Sequence, residues 1–175
     1  MNKQDVVAVV LGGPSSEAEV SRRTGGAIAE ALREKGYNAV EVELVPENLV
    51  EQLREIDAKV VFNAVHGMYG EDGRLQSILE AIKMPYTGSG VLASAVAMDK
   101  VATKRFLISA NISTPKCLMY NKRFDNDMAK IEKEIIATFG VPVVIKAADQ
   151  GSSIGVEIVK EESDVAAALE NTFKY

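Results

Sequence analysis

The stretch NAVHGMYGEDGRLQ, residues 63–76, holds the chain's one histidine, His66, directly after the apolar run VVFNAV. An imidazole titrates near neutrality, so it can orient a small ligand or exchange a proton with it. At the end of a buried strand it also suits a structural role, and spacing alone leaves both readings open. Glu71 and Asp72 follow in GEDG, where capping of the next helix accounts for them. A second stretch, DQGSSIG (149–155), offers two glycines, two adjacent hydroxyls and free backbone N–H groups between two strands. Such a loop can close over phosphate oxygens. Lys146, at the end of the apolar run VPVVIK, which reads as a buried strand, adds a point charge suited to an anion. A hairpin loop with a snorkelling lysine fits the same residues, and the pattern is not a Walker A loop.

Two helical stretches add charge. MDKVATK (98–104) places Lys100 and Lys104 four residues apart on one face, an arrangement that also describes a solvated basic patch. SEAEVSRR places Glu17 and Glu19 in a first helical turn, where carboxylates complement the macrodipole. A carboxylate there can instead hold an ammonium group, if the helix starts at a strand-end crevice. No Ser-His-Asp order, no GxGxxG and no histidine cluster is present.

The elements that must position these residues follow from periodicity. DVVAVVL (5–11) is continuous and β-branched, as expected of a strand buried on both faces. After the turn GGPSS, residues 16–36 carry apolar residues at helical spacing, with Ser16 as N-cap and Gly36 as stop. NAVEVEL alternates as a second strand, PENLVEQLREI is a short helix, and KVVFNAV is a third strand. A helix over 71–82, the short strand and turn MPYTGSG, and helical pattern from Val91 to Ala110 complete this half. The β-α-β-α-β-α order predicts a doubly wound parallel sheet of the α/β class. Ligands gather at the carboxyl ends of strands in such sheets, where GGPSSE and NAVHGMYGEDG both lie. The remainder reads as a smaller α+β unit: the extended STPKCLMY, a helix ending at Gly140, two strands joined by DQGSSIG, and a helix capped by Ser163. The boundary falls near residues 98–112, dividing the chain into 1–97 and 98–175.

Composition sets outer bounds. The 175 residues are 47% hydrophobic and 26% charged, with a net charge of −5, enough for a packed core and without a basic stripe for nucleic acid. The lone Cys117 excludes an internal disulfide framework and fits a reducing cytoplasm. No apolar run approaches the length of a membrane span.

GGPSSEAEVS, HGMYGEDGRLQSILE, MPYTGSGVLASAVAMDKVATK and VPVVIKAADQGSSIGV, in this order and spacing, resemble the D-alanine–D-alanine ligase family of the ATP-grasp superfamily, over essentially the whole chain. The resemblance implies a pre-ATP-grasp, Rossmann-like α/β domain, followed by an incomplete ATP-grasp lid. It implies that ATP phosphorylates one D-alanine carboxylate, with magnesium on the phosphates, and that a second D-alanine attacks to give the dipeptide for peptidoglycan. Glu17 would hold the first ammonium and His66 would orient that substrate's carboxylate. Gly12 and Gly13 would allow close backbone approach. Lys100 and Lys146 would contact ATP phosphates, Ser153 and the amides of Gly151 to Gly155 would cover them, and Ser152 would join the hydrogen-bonded set that includes Glu17. A homodimer through the N-terminal domain is implied as well. Two departures stand out: Ala147 occupies a position usually held by proline, and family members continue well beyond TFKY. The magnesium ligands belong to that continuation, so the expectation is a chain without ligase activity of its own. D-alanine–D-lactate and D-alanine–D-serine ligases share these motifs, and a non-catalytic ATP-grasp-derived binding module is the rival of a different class.

Overall fold

Val6–Leu11 (VVAVVL) forms β1, with every residue after the first buried. A strand can be apolar throughout only if both faces are covered, and β1 is central in a three-stranded parallel sheet. It lies between β2 (Asn38–Glu43) and β3 (Ala58–Asn63). Leu11 is in register with Glu43 and Val10 with Asn63, so the three strands end side by side. The computed structural model describes residues 2–175.

α1 (Ala18–Glu34) links β1 to β2, and α2 (Leu49–Glu55) links β2 to β3. The chain thus leaves the central strand for one edge and returns to the other. Successive β1 side chains point to opposite faces. Val9 packs with Ala29, Ile28 and Leu32 of α1. Ala8 and Val10 pack with Leu49 and Leu53 of α2 and with Leu75 and Leu79 of α3 (Arg74–Ala81). Helices on both faces make the sheet doubly wound, as the alternating pattern predicted. Tyr86 adds a parallel bridge to Val61 beyond β3. The helical pattern expected over 91–110 is broken by Asp99 into α4 (Val91–Met98) and α5 (Lys100–Ser109), and the Asp99 carboxylate caps α5 by accepting from the N–H groups of Val101 and Ala102 at 2.8 and 2.9 Å.

The chain forms two compact units, Met1–Ala97 and Met98–Tyr175. In the second, Asp127 caps α6 (Met128–Phe139), which stops at Gly140. β4 (Val143–Lys146) and β5 (Val156–Val159) form an antiparallel pair. A 3-10 turn leads into α7 (Val165–Thr172). Ile131, Ile135, Val159, Val165 and Leu169 make the core on one side of this hairpin.

Four sequence expectations need correction. α1 begins at Ala18 rather than Ser16, because Ser15 accepts the Glu17 N–H at 3.0 Å and delays the first helical turn. α3 begins at Arg74, after a turn in which Asp72 accepts from Tyr69 and Arg74. Ser163 does not cap α7; it lies in the 3-10 turn and its hydroxyl bonds Asp164. VVIK is not buried, for the hairpin is covered on one face only, leaving Val144 48% and Ile158 68% exposed.

Leu79 is fully buried whereas Leu92 is 70% exposed. Leu79→Ala is expected to cost the first unit about 2–5 kcal/mol, and Leu92→Ala about 0.5 kcal/mol or less. Urea denaturation of the two variants checks this contrast.

Candidate active site

In the first unit the loops after β1 and β3 carry the chemistry. Glu17 is the N-cap of α1 but its side chain makes no capping hydrogen bond. Both carboxylates lie at the helix start, where the macrodipole favours them; Glu19 pairs with Arg22, whereas Glu17 makes no hydrogen bond to the helix and keeps its oxygens available. A Cβ on Gly67 would fall 2.7 Å from Glu17 Oε2 and 2.8 Å from Ser15 Oγ, at a φ of +68°. Glycine suits the positive φ at 67, and its missing Cβ leaves room for the Glu17 carboxylate to lie on the backbone next to His66. The imidazole itself turns elsewhere: Nε2 lies 3.3 Å from Thr24 Oγ1 and Nδ1 3.7 Å from Glu71 Oε1. His66 and Glu17 are brought together through the backbone, not through a direct side-chain bond.

The ring lines a cavity of about 390 Å³ together with Thr24, Asn63, Glu71, Gln76 and Ser94. Glu71, expected at the start of α3, is instead a neighbour of His66. Gly12 and Gly13 sit at the strand end as expected, but both amides are engaged within the protein. Gly12 N–H donates to Ser21 Oγ at 2.8 Å, and Gly13 N–H to Glu43 Oε1 at 3.2 Å. Arg22 completes that corner by donating to both Glu43 oxygens. The Arg22 hydrogen bond holds the Glu43 carboxyl below its ordinary range; burial opposes it, and the Gly13 amide adds a smaller lowering effect.

Three residues of this site lie within the quoted stretches, but the sequence does not single them out. Ser21 is completely buried. Asn63 and Gln76 both donate to the Gly70 carbonyl, at 2.8 and 2.7 Å, and so tie the His66 loop to β3 and α3. The available clue was a polar residue in an apolar setting: Gln76 between the buried Leu75 and Leu79, and Asn63 at the end of VVF.

In the second unit Lys100 Nζ donates to the Gln150 carbonyl at 2.6 Å and reaches that of Ala148 at 3.5 Å. Its backbone N–H bonds the Ala148 carbonyl too, at 2.9 Å. Burial, and then the nearby Lys146 charge, lower the Lys100 pKa, partly offset by Asp149 and Asp99. Lys104 points to other partners, Thr114 Oγ1 and the Pro115 carbonyl. The charge that Lys100 meets is therefore that of Lys146, not that of the expected partner Lys104, which is a structural tie. The 149–155 loop passes through left-handed backbone at Ser152 and Ser153, both exposed. Ala147, the departure from proline, donates its N–H to Gly155 at 2.8 Å. Two amines beside a loop of amides and hydroxyls have the chemistry to hold a multiply charged anion.

The chain is similar to known proteins over almost its whole length. A family model described as D-ala D-ala ligase N-terminus matches residues 43–89, and one described as D-ala D-ala ligase C-terminus matches residues 106–175. The chain belongs to the D-alanine–D-alanine ligase family. A D-alanine–D-alanine ligase of Moorella thermoacetica is 46% identical over 97% of this chain and 55% of the relative. One of Pelotomaculum thermopropionicum is 44% identical over 97% and 54%. Among solved structures, D-alanine–D-alanine ligase of Bacillus anthracis superposes with a TM-score of 0.83 at 34% identity, over 97% of this chain and 54% of that one. The same enzyme complexed with ATP gives 0.75 at 32%, over 97% and 55%. The chain spans about half the length of the curated relatives it matches. No helix among the described residues is long and apolar enough to cross a membrane.

Two titrations test the electrostatics. Glu43 is held below its unfolded value of 4.5, so its stabilising effect is complete above about pH 4.5 and is lost as pH falls through the lower folded value. Glu43→Gln is expected to lower Tm at pH 7, and the gap from wild type should close on acidification below pH 4.5. For Lys100, replacing its like-charged neighbour by Lys146→Gln should raise the amine's pKa toward the ordinary lysine value, read by NMR titration of the lysine side chains. An unmoved Lys100 would place the two amines too far apart to share an anion.

Proposed function

We propose that this chain supplies the first-substrate site and part of the nucleotide-phosphate site of an ATP-dependent ligase that joins two D-alanines. In this reaction a phosphoryl group passes from ATP to the first D-alanine carboxylate, and the amine of the second displaces it as phosphate. The product is D-alanyl-D-alanine for peptidoglycan. The observation that carries the reading is the Glu17 carboxylate, uncommitted to its own helix and lying on Gly67 beside His66 at the carboxyl end of the sheet. An ammonium group at this carboxylate would place the substrate against the loop that carries His66. Residues 1–97 are the substrate-binding domain in this account, and residues 98–175 belong to the ATP-grasp lid.

Lys100, Lys146, Ser153 and the amides of Gly151 to Gly155 have the chemistry to hold phosphate oxygens, and Ser152 offers a hydroxyl in the same loop. Magnesium accompanies the nucleotide in this reading. Among the described residues no three His, Cys, Asp or Glu side chains come together as a metal site. The reading also places the protein in the cytoplasm, as a homodimer formed through the first unit.

NMR titration of the full chain tests the two halves separately. D-alanine is expected to shift the resonances of Glu17, His66 and Gly67, and Glu17→Gln to weaken its binding about tenfold or more, as for loss of a charged hydrogen bond. ATP is expected to shift residues 149–155 and the Lys100 side chain, with Lys146→Gln weakening that response. D-alanine that perturbs neither Glu17 nor His66 would overturn the assignment.

A further inference from the structure

The β1–β3 ladder ends in an unusual way. In a parallel pair the hydrogen bonds run evenly, each residue of one strand bonding two residues of the other that lie two apart. Ala64 N–H donates to the Val10 carbonyl at 2.9 Å, so the next rung would be Gly12 N–H to the Ala64 carbonyl. That rung is not made directly. Gly12 N–H donates to Ser21 Oγ at 2.8 Å, and Ser21 O–H donates to the Ala64 carbonyl at 2.7 Å. One hydroxyl oxygen has been inserted into the ladder. The strands are spread at that rung, and both backbone groups remain satisfied, as buried groups must be.

α1 delivers this hydroxyl because its inner face is small. Ser21, Gly25 and Ala29 are its buried residues, one helical turn apart. A Cβ on Gly25 would fall 2.6 Å from Leu11 Cβ, so glycine there permits the approach.

We propose that Ser21 is a positioning residue: by wedging the β1–β3 rung it sets the separation of the loops that carry Glu17 and His66. This rests on the D-alanine reading for its consequence but not for its geometry. Without the hydroxyl, Gly12 and Ala64 either bond directly, closing the strand ends, or recruit a solvent molecule of less defined position. Either change moves Glu17 relative to His66.

The test uses the 15N-labelled full chain with Ser21→Ala, Ser21→Thr and, as a packing control on the same helix–sheet interface, Val9→Ala. In wild type the Gly12 amide is expected to exchange as slowly as that of Ala64. Ser21→Ala is expected to shift the Gly12 amide and His66 ring signals and to weaken D-alanine binding about tenfold, the scale of one buried hydrogen bond. Ser21→Thr, which keeps the hydroxyl, should restore both. Val9→Ala should lower stability while leaving those signals in place. Equal effects of Ser21→Ala and Val9→Ala on these signals, or unchanged D-alanine affinity in Ser21→Ala, would overturn the proposal. Should Ser21→Ala fail to fold, a fast-exchanging Gly12 amide in wild type overturns it and a protected one supports it. A wild-type chain that binds no D-alanine sinks the substrate reading, while the Gly12 and His66 signals still decide the wedge.

Discussion

A parallel strand covered on both faces cannot carry polar chemistry along its length. β1 has no polar side chain, and four of its residues, Val7 to Val10, are at most 4% exposed. Every polar group of the first unit that could meet a ligand must therefore lie at a strand end. The chain's direction chooses which end, since the crossover helices start from the carboxyl side and their first turns bring N–H groups and capping residues there. The reversal of winding on either side of β1 then leaves a gap between the loops after β1 and β3, because their helices depart to opposite faces. Glu17 enters that gap from one loop and His66 from the other. Ser21, Asn63 and Gln76 fix the two loops to the sheet and to each other.

The second unit solves a different electrostatic problem. Burial first, and repulsion by the nearby Lys146 charge second, disfavour the charged Lys100 amine and lower its pKa. Carbonyls of Ala148 and Gln150 take up part of the charge. They are dipoles, however, and cannot neutralise it. A polyanion can, and it would relieve the repulsion as it bound. Lysine suits this better than arginine because its compact charge can be approached from several directions.

How much of this was legible in the sequence depended on whether the signal was local. β1 to β3 and their helices were readable because a buried strand and an amphipathic helix write their periods directly. Glu17, His66 and Lys100 were nameable because charged or titratable residues stand out beside glycine. Ser21 was not: a serine between Val20 and Arg22 looks like any helix-surface residue, and its burial depends on Leu11 and Ala64, far away in the chain. The cap assignments at Ser16 and Ser163 failed for a related reason. Several hydroxyls and carboxylates near each helix start compete for the same amides, and the winner is set by backbone geometry. The misjudged burial of VVIK has a topological cause, since an apolar four-residue run does not say how many of its faces will be covered.

Ala147 shows how a departure from a family pattern can be neutral for chemistry yet consequential for shape. Proline has no N–H, so it could not bond the Gly155 carbonyl as Ala147 does. In this chain the hairpin therefore closes one rung beyond Lys146. The rung sits at the base of a loop in which two successive serines, Ser152 and Ser153, hold left-handed backbone at φ of +47° and +66°. Such conformations cost roughly 1 kcal/mol or more each for residues with a Cβ, and they persist where the surrounding structure over-determines them. The turn bond from Ile154 N–H to the Gly151 carbonyl, at 2.9 Å, supplies a second restraint inside the loop. The amides that would face phosphate are thus shaped by bonds at the base and the tip of the loop, and the side chains of both serines stay exposed. Pre-forming the loop in this way lowers the ordering entropy that binding would otherwise cost. The same logic governs the first unit, where one buried hydroxyl sets the spacing of two loops before any ligand arrives.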